Sequence, residues 1–189
     1  MIVGVGGQGT LLTSRIIGKT ALENGYDVKI SEVHGMAQRG GSVVTYVRFG
    51  EKVYEPTVEV GSADVLLAFE RLEGLRYAHY LKKDGVIVVK DCRIDTMTVT
   101  VGVAEYPTDA LEKLQDEHPV YAVDGDGVAR ALGNPKVVNS VVLGVAARFM
   151  GFEKEKWIEV LKSTVPPKTV DINVAAFDAG YESLETETK

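Results

Sequence analysis

Cysteine is nearly absent from this chain: Cys92 is the only one among 189 residues. A lone thiol excludes an internal disulfide, and by itself it cannot hold an iron–sulfur cluster, which needs several thiolates. Histidine is also scarce. His34, His79 and His118 are scattered, no pair has the spacing of metal ligands, and no bound metal is expected. Basic residues are in deficit, with 21 Lys and Arg against 27 Asp and Glu, a net charge of -6 and a pI near 5.2. No basic run exists, which excludes a broad surface for nucleic-acid phosphates. No apolar stretch approaches the roughly 20 residues that span a bilayer, and the N-terminus lacks the basic start and apolar core of a secretion signal. A cytoplasmic protein, independent of membrane and nucleic acid, is the expectation.

What is present is an ordinary globular composition, 45% hydrophobic and 25% charged, in a chain long enough for one well-packed core. Met1 to Val5 is a short apolar run that breaks at Gly6-Gly-Gln-Gly9 before a helical pattern, with Leu12 and Ile16, and Ile17 and Ala21, at helical spacing. Asn24-Gly25 stops that helix, and a second strand follows at Val28 to Ser31, so the unit reads as a βαβ crossover with a loop from Glu32 to Gly41. Ser42 to Phe49 alternates as a strand. Asp64 to Phe69 and Val86 to Val89 are unbroken apolar runs, as in strands covered on both faces in the middle of a sheet. Further on come a helix through Leu111 and Leu114, a strand at Val120 to Val123, a helix over Val128 to Leu132 and a long apolar helix from Val137 to Met150. Within the last, Gly144 suggests close backbone packing. Trp157 and Leu161 share the face of another helix, ended by Pro166-Pro167, and Val174, Phe177 and Tyr181 fit a final one. The predicted fold is a single α/β domain over residues 1–182, an open, mostly parallel sheet flanked by helices with a Rossmann-like N-terminal half, and a frayed tail over 183–189.

Gly4-Val-Gly6-Gly7-Gln8-Gly9 fits the G-x-G-x-x-G pattern between strand and helix, where glycines let the backbone approach a ligand and helix N–H groups face an anion. Glu32 stands about where a dinucleotide fold places a carboxylate for the ribose. Tight strand-to-helix packing without any ligand explains the same glycines. The second loop, Ser31 to Gly41, carries His34, Gln38 and Arg39 before Gly40-Gly41, which a dinucleotide fold does not need. Arg39 with its glycines suits a phosphate or carboxylate; a salt bridge to Glu32 or Glu70 would serve it equally. No Ser, Cys or carboxylate is placed as a catalytic partner for His34, so a structural or interface role is favoured there. Gly125-Asp126-Gly127 resembles the start of a thiamine-diphosphate motif, but Asn134 and Asn139 follow too early to complete a magnesium site. The triplet reads better as a turn capping the helix that starts near Val128.

Together, Gly4 to Gly9, Glu32-Val-His-Gly-Met-Ala-Gln-Arg-Gly-Gly41, Ala63 to Glu70, Leu75-Arg76 and Asn139-Ser-Val-Val-Leu-Gly144 resemble the gamma component of 2-oxoacid:ferredoxin oxidoreductases. The loop around His34 and the late Ala175-Ala-Phe-Asp-Ala-Gly180 look closest to the indolepyruvate branch, where this component is often called the beta subunit. Members commonly carry a few more residues before the first strand. The resemblance implies a subunit, inactive alone, of an enzyme that decarboxylates a 2-oxoacid oxidatively with coenzyme A to acyl-CoA and passes electrons to ferredoxin. Thiamine diphosphate, magnesium and iron–sulfur clusters would sit on a large partner subunit, with none bound by this chain. Gly6, Gly7, Gln8, Gly9, His34, Arg39, Gly40 and Gly41 would face coenzyme A, the cofactor pocket or the partner. A free-standing dinucleotide oxidoreductase and a pure assembly module are the alternatives. When isolated, a surface built for a partner can pair with a second copy as a homodimer.

Overall fold

The computed structural model describes residues 1–35 and 40–184. Its first strand, β1 (Ile2–Val5), is buried along its whole length, and it runs parallel to β4 (Ala63–Ala68). Strands β5 (Leu81–Lys90) and β6 (Val120–Val123) continue the parallel sheet on that side. On the other side β3 (Ser42–Gly50) pairs antiparallel with β1, and β2 (Asp27–His34) pairs antiparallel with β3, giving the order β2-β3-β1-β4-β5-β6. The open, mostly parallel sheet expected from the sequence is therefore present. Its N-terminal half corrects the expected crossover: β1 and β2 point the same way but are not neighbours, because β3 lies between them. The connection from β2 to β3 is too short for a parallel crossover, so β3 has to return antiparallel. Glu32 and His34 accordingly lie on β2, paired with Thr45 and Val43, rather than in a loop.

Both faces of the sheet are covered, which is why the central strands read as unbroken apolar runs. Leu67, Phe69 and Val88 join the larger core with Ile16, Ile17, Val141, Trp157 and Phe177, while Leu66, Ala68, Ile87 and Val89 join Val3, Val44 and Leu114 on the opposite face. The larger core lies beneath α1 (Thr10–Glu23), α5 (Gly125–Ala131), α6 (Val138–Ala147), α7 (Lys154–Thr164) and α8 (Val170–Ser183). The smaller lies beneath α2 (Arg71–Tyr77) and α4 (Ala110–Glu117). Helix α6 buries every residue from Ser140 to Ala147. It meets α8 at two glycines: a Cβ on Gly144 would stand 2.2 Å from Phe177 O, and one on Gly180 would stand 2.0 Å from Val141 O. The close approach expected of Gly144 thus has a counterpart in Gly180, and together they let the two backbones touch.

Three details differ from the sequence reading. Helix α2 and the short α3 (Met97–Thr100), which buries no residue, fall in stretches to which no element was assigned from the sequence. Helix α5 begins at Gly125, so Gly125-Asp126-Gly127 forms its first turn, and the cap is Asp124, which accepts from Gly127 N at 2.8 Å. The last helix reaches Ser183; beyond Leu184 the expected tail lies outside the described residues.

Candidate functional site

At the carboxyl end of β1 the chain turns through Gly6-Gly7-Gln8-Gly9, and the turn is fixed from three sides. Gln8 Oε1 accepts from Val5 N at 2.7 Å, and Gln8 Nε2 donates to Phe69 O at 2.6 Å, tying the ends of β1 and β4 together. The Gln8 carbonyl accepts from Asn139 Nδ2 at 2.7 Å, and Gly6 N donates to Gly41 O at 2.8 Å. Four separated motifs therefore converge here, around Gly6, Gly41, Phe69 and Asn139. The Gln8 side chain is spent on this clamp. Gly4 must lack a side chain because a Cβ there would come within 2.9 Å of Gln8 Oε1. Gly7 and Gly9 take φ of 97° and 77°, a left-handed region that other residues adopt only with strain.

Helix α1 starts at that turn with no capping side chain and no acidic residue in its first turn. Its leading N–H groups, which cannot pair within a helix, open onto a cleft of about 300 Å³ lined by Gly6, Gly7, Gly9, Thr10, Leu11, Glu32, His34 and Val43. The β2 residues reach the cleft by periodicity. Val28 and Ile30 lie against Gly18 of α1, and the two-residue repeat puts Glu32 and His34 on the same side. Glu32 Oε2 accepts from the Thr45 hydroxyl at 3.2 Å, and His34 Nδ1 lies 3.1 Å from Gly35 O. Of the residues singled out in the sequence, Gly6, Gly7, Gly9 and His34 line this cleft, Gln8 supports it from behind, and Gly41 ties into it through Gly6. Gly40 adopts φ 77° just ahead. Arg39, with the salt bridges weighed for it, lies outside the described residues.

The neighbouring stretch of the same edge, beyond β4 and β5, holds a polar network that the sequence reading missed. Glu70, only 1% exposed, caps α2 by accepting from Glu73 N at 2.9 Å, and its other oxygen accepts from Tyr106 Oη at 2.5 Å and Ile94 N at 3.2 Å. Glu73, equally buried, accepts from Arg76 Nη1 at 2.7 Å and from the Ser42 hydroxyl at 2.5 Å, which braces the strand after Gly41. Burial, reinforced by the bond to Glu70, raises the Tyr106 phenol well above its ordinary pKa. Burial also pushes the Cys92 thiol up to about 11, and its sulfur donates to Phe69 O. The available signal was Glu70-x-x-Glu73 directly after an apolar strand, a helix-start pattern.

The side chains of the thiamine-diphosphate-like stretch are engaged otherwise. Asp126 pairs with Lys90 at 2.9 Å, Asn134 Oδ1 accepts from Lys136 N, and Asn139 holds the glycine turn. These residues do not fit a thiamine-diphosphate magnesium site. Among the described residues no group of His, Cys, Asp and Glu is placed to hold a metal ion, and no helix is long and apolar enough to cross a membrane.

Fold and cleft define an open α/β domain whose glycine turn and uncapped helix face outward at the carboxyl edge of its sheet. The chain belongs to the pyruvate ferredoxin/flavodoxin oxidoreductase family, whose model matches residues 1–183. It is 43% identical to the indolepyruvate oxidoreductase subunit IorB of Thermococcus kodakarensis, over 98% of this chain and 95% of that one. Against the pyruvate synthase subunit PorC of Methanothermobacter marburgensis the identity is 25%, over 96% and 94%. In fold it matches the solved gamma subunit of a keto/oxoacid ferredoxin oxidoreductase from Geobacter sulfurreducens, with a TM-score of 0.69, 24% identity and coverage of 96% and 94%.

Proposed function

We propose that this chain is the small, gamma-type subunit of a 2-oxoacid:ferredoxin oxidoreductase that acts on indolepyruvate or a related aryl pyruvate. The observation that carries this reading is the 43% identity to an indolepyruvate oxidoreductase subunit along nearly the whole chain, against 25% for the pyruvate relative. The enzyme would release carbon dioxide from the oxoacid, join the acyl group to the thiol of coenzyme A and pass the electron pair to ferredoxin. Thiamine diphosphate, magnesium and iron–sulfur clusters belong on a larger partner subunit in this reading, and a chain with one half-buried thiol is suited to that division. The complex works in the cytoplasm. The glycine turn, His34 and the loop from Arg39 to Gly41 face the partner or coenzyme A, and the isolated chain can self-associate through the same surface.

The alternative of a free-standing dinucleotide enzyme draws on Glu32 lining the cleft of the glycine turn. The inserted β3 weakens it, since the acidic strand is no longer adjacent to the turn. Purification of the tagged chain from its native source separates the two. Recovery of a large iron–sulfur partner with ferredoxin reduction dependent on indolepyruvate and coenzyme A supports the subunit; a chain recovered alone with stoichiometric NAD or FAD contradicts it.

A further inference from the structure

We infer that residues 95–105 form a docking knob for the larger subunit of the assembled enzyme, whose matching surface is an apolar recess with a Lys or Arg at its rim. The inference rests on the proposed function and names one surface through which the subunits meet. The knob leaves the carboxyl end of β5, on the same edge of the sheet as the glycine turn. Framework groups fix its stems. Glu70 Oε1 accepts from Ile94 N at 3.2 Å and from Tyr106 Oη at 2.5 Å, and the Arg93 guanidinium lies 4.5 Å from the centre of the Tyr106 ring. The backbone of the knob closes on itself. Thr100 N donates to Thr96 O at 2.9 Å, Gly102 N to Val99 O at 3.0 Å, and Val103 N and Ala104 N both to Thr98 O, at 2.9 and 3.0 Å. The tip is therefore a shaped body, yet α3 within it buries no residue, and Met97, Val101 and Val103 are 70%, 61% and 77% exposed.

Single exposed apolar side chains are ordinary; a group of them on one ordered tip that its own fold does not bury marks a contact surface. Met97 and Val101 share a face of the helical turn. A tip already ordered before contact gives up little freedom on docking, which suits it to insertion. Charge and shape decide the occupant. From Thr96 to Ala104 the chain carries no charge, Asp95 is paired with Arg93, and the exposed Glu105 makes no hydrogen bond or ion pair among the described residues. An apolar recess with a cation at its rim complements that surface. An anionic lipid surface does not, since it calls for Lys or Arg around the apolar tip. Symmetry selects against a second copy. A two-fold interface sets a patch against itself, and two projecting knobs leave little surface in contact. A knob inserted into a groove elsewhere on a copy gives a ring or a filament rather than a closed pair.

The test titrates the purified large subunit with this chain and its variants, reading association by light scattering and ferredoxin reduction in the same mixtures. Met97→Asp combined with Val101→Asp should leave the melting temperature unchanged and weaken association about 100-fold. Val103→Thr, which keeps the shape and removes apolar surface, should weaken it about three-fold. Glu105→Lys should weaken it about ten-fold, most strongly at low salt. Val60→Asp, at a residue 65% exposed between β3 and β4 on the other edge of the sheet, should change nothing. With each variant at saturating concentration kcat should return to the wild-type value, as expected where a contact and not the chemistry is lost. The inference is overturned by association of the double variant equal to wild type, or by a kcat that saturation does not restore. It is equally overturned if the substitutions abolish binding to anionic vesicles or self-association while leaving the large subunit bound. Any of these in an enzyme that still reduces ferredoxin leaves the proposed function standing; a wild-type chain that recruits no large subunit overturns both.

Discussion

Two halves of one sheet edge handle their polar groups in opposite ways. Beyond β4 and β5 they are turned inward: Glu70 and Glu73 are buried and each accepts from more than one donor. Beyond β1 and β2 they are left facing outward, where the amides of Gly7 and Gly9, the hydroxyl of Thr10 and one Glu32 oxygen find no partner among the described residues. A buried polar group without a partner is costly, so the satisfied half behaves as framework. The unsatisfied half keeps its groups at a solvent-filled cleft, where water holds them until something displaces it. Gln8 marks the boundary between the two, since its side chain is framework while the turn around it is open.

That contrast can be broken by substitution, and the largest effects belong to the framework. Gly180→Ala places a Cβ against Val141 O and should cost about 3 kcal/mol or more in urea unfolding, the helix pair having no slack at that crossing. Glu70→Ala should cost about 3 kcal/mol, because it strands Tyr106, Ile94 N and Glu73 N; Tyr106→Phe, which removes a single donor, should cost about 1 to 2 kcal/mol by the same measurement. Gln8→Ala should cost about 1 to 2 kcal/mol and also blur the cleft, because the clamp from β1 to β4 is lost. Cys92 gives a pH signature. Its folded pKa is raised from 9.0 to about 11, so its contribution to stability is full below pH 9 and is lost as pH climbs toward 11. Cys92→Ser should flatten that part of the stability profile, and iodoacetamide should label native Cys92 more slowly than the unfolded thiol at pH 8.5. On the open half, Thr10→Val should change stability by less than about 0.5 kcal/mol, with its effect appearing in binding. A large stability loss at Thr10, or none at Glu70, would erase the distinction between the two halves.

Much of the framework was legible in sequence because periodicity reports burial. The runs Asp64 to Phe69 and Val86 to Val89 announced doubly covered strands, and Gly144 announced a close helix crossing. Sheet order was less legible. Nothing local in Ser42 to Phe49 says whether a strand pairs beside β1 or outside β2; only the short connection after His34, which rules out a parallel crossover, pointed to an antiparallel return. The site divides similarly. The glycine turn stood out because its residue types are unusual, and it proved to be the place where four motifs meet. Glu70, Glu73 and Tyr106 did not stand out, since a buried carboxylate and a surface one look alike until their partners are known. Gln8 was grouped with residues facing the cleft or partner because it lies inside the glycine turn; its distant partner, Phe69 O, turns the side chain inward.

Hydrogen exchange of the chain alone and within the assembled enzyme tests most directly whether the open half of the edge is the working surface. Slowed exchange on assembly at Gly7, Gly9, Leu11 and the Glu32 to His34 stretch, deepening when coenzyme A is added, is the predicted result. Protection confined to the opposite edge of the sheet, around Arg48, Val58 and Met150, with the glycine turn exchanging as freely as before, would contradict it.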